Sequence, residues 1–322
     1  MNRILLLVLQ LSLWVGCTHT SEPLEELKNA NQIGDNWSRF HPPYSHEAIT
    51  QNLTSEGQKI VSSVGRLFGT WIYLGRHKGE HIVATNEHVV QVLKKKQQQS
   101  RRPLSEYSIT FSDSINNHQL AIGEVIGLWP EIDFALMTAK MVSPESQEFF
   151  AKNQAQIHEA HEIKKGTPLF IVGFGTKNNP NIEKTIALDG ECRVFSNDGE
   201  YKSIRVQKAL SPYATAVRAF AHGCDVSPGD SGSPIIHRET QKIIGVVKSS
   251  SYAFPNYRTS GFMTELFQNP NEGIWQYMSY GVPISVIHQH LNSIKSQTKA
   301  RNWAIISSVI NRQSKVVADT QY

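Results

Sequence analysis

The run Gly229–Pro234 constrains this chain more than any other stretch, because small residues and a proline surround one serine, Ser231. Glycines let the backbone turn tightly and approach another molecule closely. A serine hydroxyl is a weak nucleophile at neutral pH and needs a base and an anion-stabilising pocket. The backbone N–H groups of Gly229 and Ser231 are candidates for that pocket. The alternative for such a run is a surface turn, so the rest of the chain must distinguish the two.

Two further side chains with complementary chemistry lie upstream, each beside an apolar run. His88 closes the run Ile82–His88, and Asp133 precedes Phe134–Met137. An imidazole is a suitable general base for a serine, and a carboxylate holds that imidazole in the required tautomer. The order His88, Asp133, Ser231 therefore predicts one site for nucleophilic catalysis.

These motifs resemble those of the trypsin/chymotrypsin-like serine peptidases, most of all their bacterial V8-like and HtrA-like branch. That family reads T-x-x-H-[CV] at the base, D-[IF]-A-L at the acid and G-[DN]-S-G-[GS]-P at the nucleophile. The chain matches at Thr85–Val89, Asp133–Leu136 and Gly229–Pro234. Subtilisins and α/β-hydrolases carry the same three residue types in other orders. The resemblance covers residues 60–292 of the sequence.

The resemblance implies a serine endopeptidase that acts on a protein or peptide through an acyl-enzyme, without a cofactor. His88 would be the general base, Asp133 would orient it, and Ser231 would attack. Backbone N–H groups of Gly229 and Ser231 would form the oxyanion hole. Asp225 lies where trypsins select lysine or arginine, which implies a basic preference before the cleaved bond. The alternative for Asp225 is that it does not face the substrate, because many bacterial relatives share the run Cys224–Gly229 without using its aspartate in this way. The alternative is a catalytically silent or latent binding lipoprotein on the same fold.

Short apolar runs separated by turn residues favour a β-barrel or sandwich. Together with the resemblance, they predict an all-β fold with two antiparallel six-stranded β-barrels and a C-terminal helix. The expected divisions are a first barrel with His88 and Asp133, a crossover, a second barrel with Ser231 and a helical tail, over residues 59–145, 146–165, 166–292 and 293–322.

Several charged residues receive local predictions. Lys94–Lys96 are expected in a solvated loop, and Glu87 at a strand end facing solvent. His158 and His161 in the crossover are expected to be solvated. Apolar residues of the tail recur at helical spacing, which predicts a helix that packs on the protein, with partner binding as the alternative.

The N-terminus predicts export. Arg3 precedes the apolar core Ile4–Trp14, which is too short to span a membrane and is typical of a signal peptide over residues 1–16. Cys17 then resembles the lipidated cysteine of bacterial lipoproteins. Trp14 departs from that motif, which usually has leucine, so ordinary signal cleavage stays the alternative. A polar tether is expected over residues 17–58.

Export sets the expected location and redox state. A lipidated Cys17 would anchor the protein in the bacterial cell envelope, whereas ordinary cleavage would allow secretion. Cys192 and Cys224 remain as a pair. An oxidising compartment favours a disulfide between them, with two buried free thiols as the alternative.

Charge and composition exclude other function classes. The formal net charge of +4 comes from 32 basic and 28 acidic residues, which is mild. The chain has no basic stripe interleaved with aromatic residues, so nucleic acid is not an expected partner. No Cys/His cluster has metal-ligand spacing, so no metal is expected.

Overall fold

The computed structural model describes residues 53–113, 115–157, 162–175, 187–204, 216–224, 226–250, 267–268, 275 and 278–311. The strands form two antiparallel sheets, followed by helices near the C-terminus. This confirms the predicted all-β, chymotrypsin-like fold class. Within the described ranges, no helix has the length and apolar character needed to cross a membrane.

The first sheet is a closed six-stranded barrel. Its strands are β1 Val64–Arg66, β2 Thr70–His77, β3 Glu80–Thr85, β4 Ser108–Ser112, β5 Asn117–Trp129 and β6 Phe134–Met141. They pair in the order β1-β2-β3-β6-β5-β4. Lys78 and Gly79 connect β2 to β3 and have φ values of 48° and 89°. A two-residue turn with both φ values positive matches the twist of a hairpin.

The second sheet has seven described strands rather than the six predicted. They are β7 Pro168–Gly173, β8 Ala187–Arg193, β9 Lys202–Ile204, β10 Val217–His222, β11 Pro234–His237, β12 Ile243–Ser250 and β13 Ser279–Pro283. Their order is β8-β7-β11-β12-β13-β10-β9. The additional strand is the short β9 on the outer side of β10. A bridge between Val194 and His222 links the continuation of β8 to β10.

Five α-helices and four single-turn 3₁₀ helices complete the described part of the chain. The α-helices are α1 Ser55–Ser62, α2 Glu87–Ser100, α3 Gln147–Lys152, α4 Ile284–Ser293 and α5 Ala300–Ile310. The 3₁₀ helices are Leu104–Glu106, Pro130–Ile132, Pro144–Ser146 and Lys295–Gln297.

Helix α2 overturns two of the local predictions. Lys94–Lys96 lie in this helix, not in a loop. Val89, Val90 and Leu93 are buried on one side of it, which anchors the helix to the barrel. Glu87 is only 5% exposed instead of facing solvent, and its carboxylate accepts a hydrogen bond from the Gln91 amide.

Helix α1 begins inside the stretch predicted as a polar tether. Thr54 caps it by accepting a hydrogen bond from Gly57 N–H, and Ile60 and Val61 are fully buried. Thr54 also donates from its N–H and its hydroxyl to Gln241 Oε1, at 2.8 and 2.6 Å. Because Gln241 follows β11, these bonds attach the start of the described chain to the second sheet.

Three hydrophobic clusters form the core. The first barrel encloses one cluster that includes Trp71 and Phe111, and the second sheet encloses another that includes Phe220. A third cluster lies between the sheets and joins residues of α1, α4 and α5 to both of them. The two sheets therefore share a continuous apolar interface, across which a site can be held in fixed geometry.

The C-terminal helix α5 packs as predicted for the tail. Ile305, Ile306, Val309 and Ile310 are buried in the cluster between the sheets. Arg301 on the outer side forms ion pairs with Glu80 and Glu124. Because these ion pairs are exposed, the apolar face supplies most of the stabilisation.

Replacing Ile306 by alanine should lower the free energy of unfolding by about 2–5 kcal/mol, because Ile306 is fully buried. Urea unfolding of the purified chain measures this change. Ile115→Ala is the matched control, because Ile115 is 85% exposed and should change the free energy by at most about 0.5 kcal/mol. Equal effects of the two variants would contradict the packing of α5.

Candidate active site

His88 and Asp133 form a close pair at the edge of the first barrel. His88 Nδ1 lies 2.8 Å from Asp133 Oδ2 and 3.0 Å from Oδ1. The backbone N–H of His88 donates to Oδ1 at 3.1 Å. The His88 side chain keeps 33% of its exposure, so a second molecule can reach its ring, whereas the Asp133 side chain keeps 5%.

Local backbone structure explains how these two residues meet. His88 lies in the first turn of α2, where backbone N–H groups lack partners within the helix. The Asp133 carboxylate supplies an acceptor and a negative charge at that helix start, which the helix dipole favours. Asp133 follows the 3₁₀ turn Pro130–Ile132 with φ 46°, a left-handed conformation that aspartate tolerates better than most residues.

Asn86 holds the backbone of Asp133. It precedes α2 but makes no side-chain capping bond to the helix. Its amide instead donates to the Asp133 carbonyl at 2.9 Å, and Asn86 is fully buried. This residue supports the pair and was missed by the sequence analysis, which treated it as a variable position of the motif.

Asp133 has a pKa below its usual value. Burial desolvates the carboxylate and pushes the pKa upward. The charges of His88 and Lys248 and the hydrogen bonds from His88 act in the opposite direction and outweigh it. The group that faces His88 is therefore a carboxylate rather than a carboxylic acid at neutral pH.

Ser231 lies on the loop before β11 and is tied to the first barrel. Its carbonyl accepts a hydrogen bond from Thr70 N–H at 2.8 Å. The Thr70 hydroxyl donates to the Gly229 carbonyl at 2.8 Å and accepts from Phe174 N–H at 3.3 Å. One threonine of β2 therefore fixes two peptide groups of the serine loop.

The glycines of this loop are required by close backbone contacts. A Cβ on Gly229, which has φ +109°, would lie 2.4 Å from the Phe174 carbonyl oxygen. A Cβ on Gly232, with φ +90°, would lie 2.1 Å from the Thr70 carbonyl oxygen. No described residue accepts a hydrogen bond from the backbone N–H of Gly229 or Ser231.

Asp230 anchors the same loop from inside the second sheet. It is fully buried, and Oδ1 accepts from Gly175 N–H at 3.0 Å. Oδ2 accepts from the N–H and the hydroxyl of Ser227, at 2.9 and 3.1 Å. The Asp230 carboxylate therefore links the serine loop to Gly175, which follows β7, and to Ser227.

Lys248 of β12 connects the serine loop to Asp133. The Ser231 hydroxyl lies 3.5 Å from the Lys248 carbonyl oxygen. The Lys248 ammonium lies 3.3 Å from Asp133 Oδ2 and is buried. Within the described ranges, Ser231 Oγ makes no hydrogen bond to the His88 ring. Lys248 thus contacts Ser231 through its backbone carbonyl and Asp133 through its side chain.

Comparison with known proteins identifies the family. The profile of the trypsin-like peptidase domain matches residues 69–246, more than half of the chain. The chain belongs to the trypsin-like peptidase family. This membership supports a serine protease function, and the match includes all three motif residues, His88, Asp133 and Ser231. No curated protein matches the sequence.

The solved structures that match this chain are remote in sequence. An inactive serine mutant of Rv3671c from Mycobacterium tuberculosis is 15% identical, over 77% of this chain and 94% of that one, with a TM-score of 0.45. Deg5 is 17% identical, over 72% and 88%, with a TM-score of 0.41. The HtrA-type protease AlgW with a decapeptide is 14% identical, over 71% and 52%, also at 0.41.

The structure describes some of the other residues singled out in the sequence and leaves others outside its described ranges. Cys192 and Cys224 form the predicted disulfide, which joins β8 to the segment before the serine loop. Asp225 and Cys17 lie outside the described residues, as do His158 and His161. In the described ranges, no three His, Cys, Asp or Glu side chains lie close enough together to hold a metal ion.

Replacing Asp230 by alanine should destabilise the peptidase domain by about 3 kcal/mol, because the buried donors of Gly175 and Ser227 lose their acceptor. Urea unfolding measures the loss. The control is Glu239→Ala, since Glu239 is exposed in the turn after β11 and should change little. A loss no larger than that of the control would contradict the anchoring role of Asp230.

Proposed function

We propose that this peptidase domain is a serine endopeptidase that cleaves peptide bonds through an acyl-enzyme on Ser231. The observation that carries the proposal is the pairing of His88 with a buried, ionised Asp133. Such a pair holds one imidazole tautomer and stabilises the imidazolium that forms when the base accepts a proton. The bond between Thr70 and Ser231 supports a fixed position of the nucleophile relative to the first barrel.

The proposed first stage is acylation. Ser231 Oγ attacks the carbonyl carbon of the scissile peptide while His88 takes the hydroxyl proton. The resulting oxyanion accepts hydrogen bonds from the N–H groups of Gly229 and Ser231, and a donor of this kind contributes about 3–4 kcal/mol to transition-state stabilisation. The C–N bond then breaks, and His88 passes its proton to the leaving amine.

The proposed second stage is deacylation. Water attacks the ester carbonyl carbon, and His88 takes a proton from that water. The C–O bond to Ser231 breaks, Oγ regains a proton from His88, and the carboxylic acid product leaves. Both stages need a neutral imidazole, so activity should fall in acid.

Three finer features belong to the same proposal. We place the chain in the V8-like/HtrA-like branch on its three motifs, which include Val89 after the base and Ser233 in the nucleophile run. The residues around Cys17 support a lipoprotein signal and attachment in the bacterial cell envelope. Asp225 supports a preference for substrates with a basic residue before the cleaved bond.

A latent or silent peptidase-fold binding lipoprotein is the second candidate. The observation that favours it is the contact of Ser231 Oγ with the Lys248 carbonyl instead of the His88 ring. A rotation of the serine side chain would be needed before His88 could accept its proton. Apo active sites often tighten only when substrate binds, so this contact does not outweigh the His88–Asp133 pair.

A fluorophosphonate probe should label the purified protein once, on the peptide that contains Ser231, because the probe reacts with an activated serine. Ser231→Ala should abolish labelling. Ser233→Ala is the matched control and should keep it, since the Ser233 hydroxyl is buried two residues away and has no described hydrogen-bond partner. Mass spectrometry reads all three. Absence of labelling on a folded wild-type sample would favour the latent alternative.

Peptide-library cleavage tests the specificity separately. Cleavage after lysine or arginine is expected, and Asp225→Ser should lower kcat/KM for such substrates by about 100-fold, because the substrate charge loses its oppositely charged partner. An unchanged preference in Asp225→Ser would exclude Asp225 from the pocket while leaving the endopeptidase proposal intact.

A further inference from the structure

Lys248 is a buried cation among apolar side chains of β12. It lies on β12 after Val246 and Val247, and all three side chains are buried. Among the described residues, the only acceptor for its ammonium is Asp133 Oδ2, at 3.3 Å. A buried ion pair contributes little to stability, because desolvation of the two charges offsets their attraction.

A β-bulge directs this side chain toward the site. The register between β12 and β13 shifts between Val247 and Ser249, so Lys248 has no paired residue on β13. Bulges re-aim side chains and are enriched next to active sites. At Lys248 the bulge brings the ammonium to the Asp133 oxygen that also lies 2.8 Å from His88 Nδ1.

We propose that Lys248 is a positioning residue of the triad: its ammonium orients the Asp133 carboxylate and shares the negative charge that faces His88. The catalytic part of this inference rests on the proposed serine endopeptidase function. A carboxylate whose charge is shared with a second cation stabilises an imidazolium less. The acid limb of the activity profile should therefore lie at lower pH than in a site without the lysine.

The surroundings support this assignment. Of the charged groups in the described part of the chain, His88 and Lys248 are those within ion-pair distance of the Asp133 carboxylate, at 2.8 and 3.3 Å. Glu87 is next to His88 in the chain, but its carboxylate accepts from Gln91. Asn86 contacts the Asp133 backbone rather than its carboxylate. Lys248 is thus the one described charge that modulates the His88–Asp133 pair.

The test compares pH profiles of fluorophosphonate labelling in four variants of the full chain. Lys248→Met and Lys248→Gln should move the acid limb upward by about one pH unit, because the neutralising charge is lost. Lys248→Arg should keep it in place. Lys140→Met is the matched control, since Lys140 is exposed on β6 of the same barrel. Glutamine retains a hydrogen-bond donor toward Asp133, which keeps the test available if the methionine variant does not fold.

A second readout does not depend on activity. NMR of histidine-labelled protein follows the titration of His88, assigned by comparison with His88→Gln, in the wild type and in Lys248→Gln. The titration midpoint should rise by about one pH unit in the variant. An unchanged midpoint would overturn the role of Lys248, even in an active enzyme. A shifted midpoint in a protein that the probe does not label would support Lys248 and refute the endopeptidase proposal.

Discussion

The carboxylate of Asp133 is the group on which the site depends. It accepts hydrogen bonds from the ring and the backbone of His88 and faces the ammonium of Lys248. These contacts join the 3₁₀ turn before β6, the first turn of α2 and the bulge of β12. Because the carboxylate is buried, the loss of any partner leaves a charge without compensation. The positions of the base and of the second sheet are therefore coupled through one side chain.

The serine loop depends on a second buried carboxylate and on close backbone contacts. The Asp230 carboxylate accepts hydrogen bonds from Gly175 and Ser227. From the first barrel, the Thr70 hydroxyl donates to the Gly229 carbonyl. A side chain on Gly175 would fill the space of the Asp230 carboxylate, since its Cβ would lie 2.1 Å from Oδ2. Contacts with both sheets therefore set the geometry of the serine loop.

The sequence predicted one site around His88, Asp133 and Ser231, and of these three residues the structure pairs His88 with Asp133. The motifs around His88, Asp133 and Ser231 follow chemical requirements that hold wherever the residues lie, and the structure brings their supporting elements together. Helix α2 was missed because the apolar run before His88 continues into Val89 and Val90, which hides the change from strand to helix. The burial of Lys248 was not predictable, because it follows from a register shift between two strands distant in sequence.

Acyl-enzyme formation on Ser231 tests the account most directly. The wild-type protein would be mixed rapidly with a chromogenic ester, quenched in acid and digested for mass spectrometry. We expect a burst of one product per chain and an acyl group on the Ser231 peptide, because acylation and deacylation are separate steps. Two results would contradict the acyl-enzyme mechanism on Ser231. One is turnover without a burst and without an acyl group on Ser231, and the other is an acyl group on a different residue.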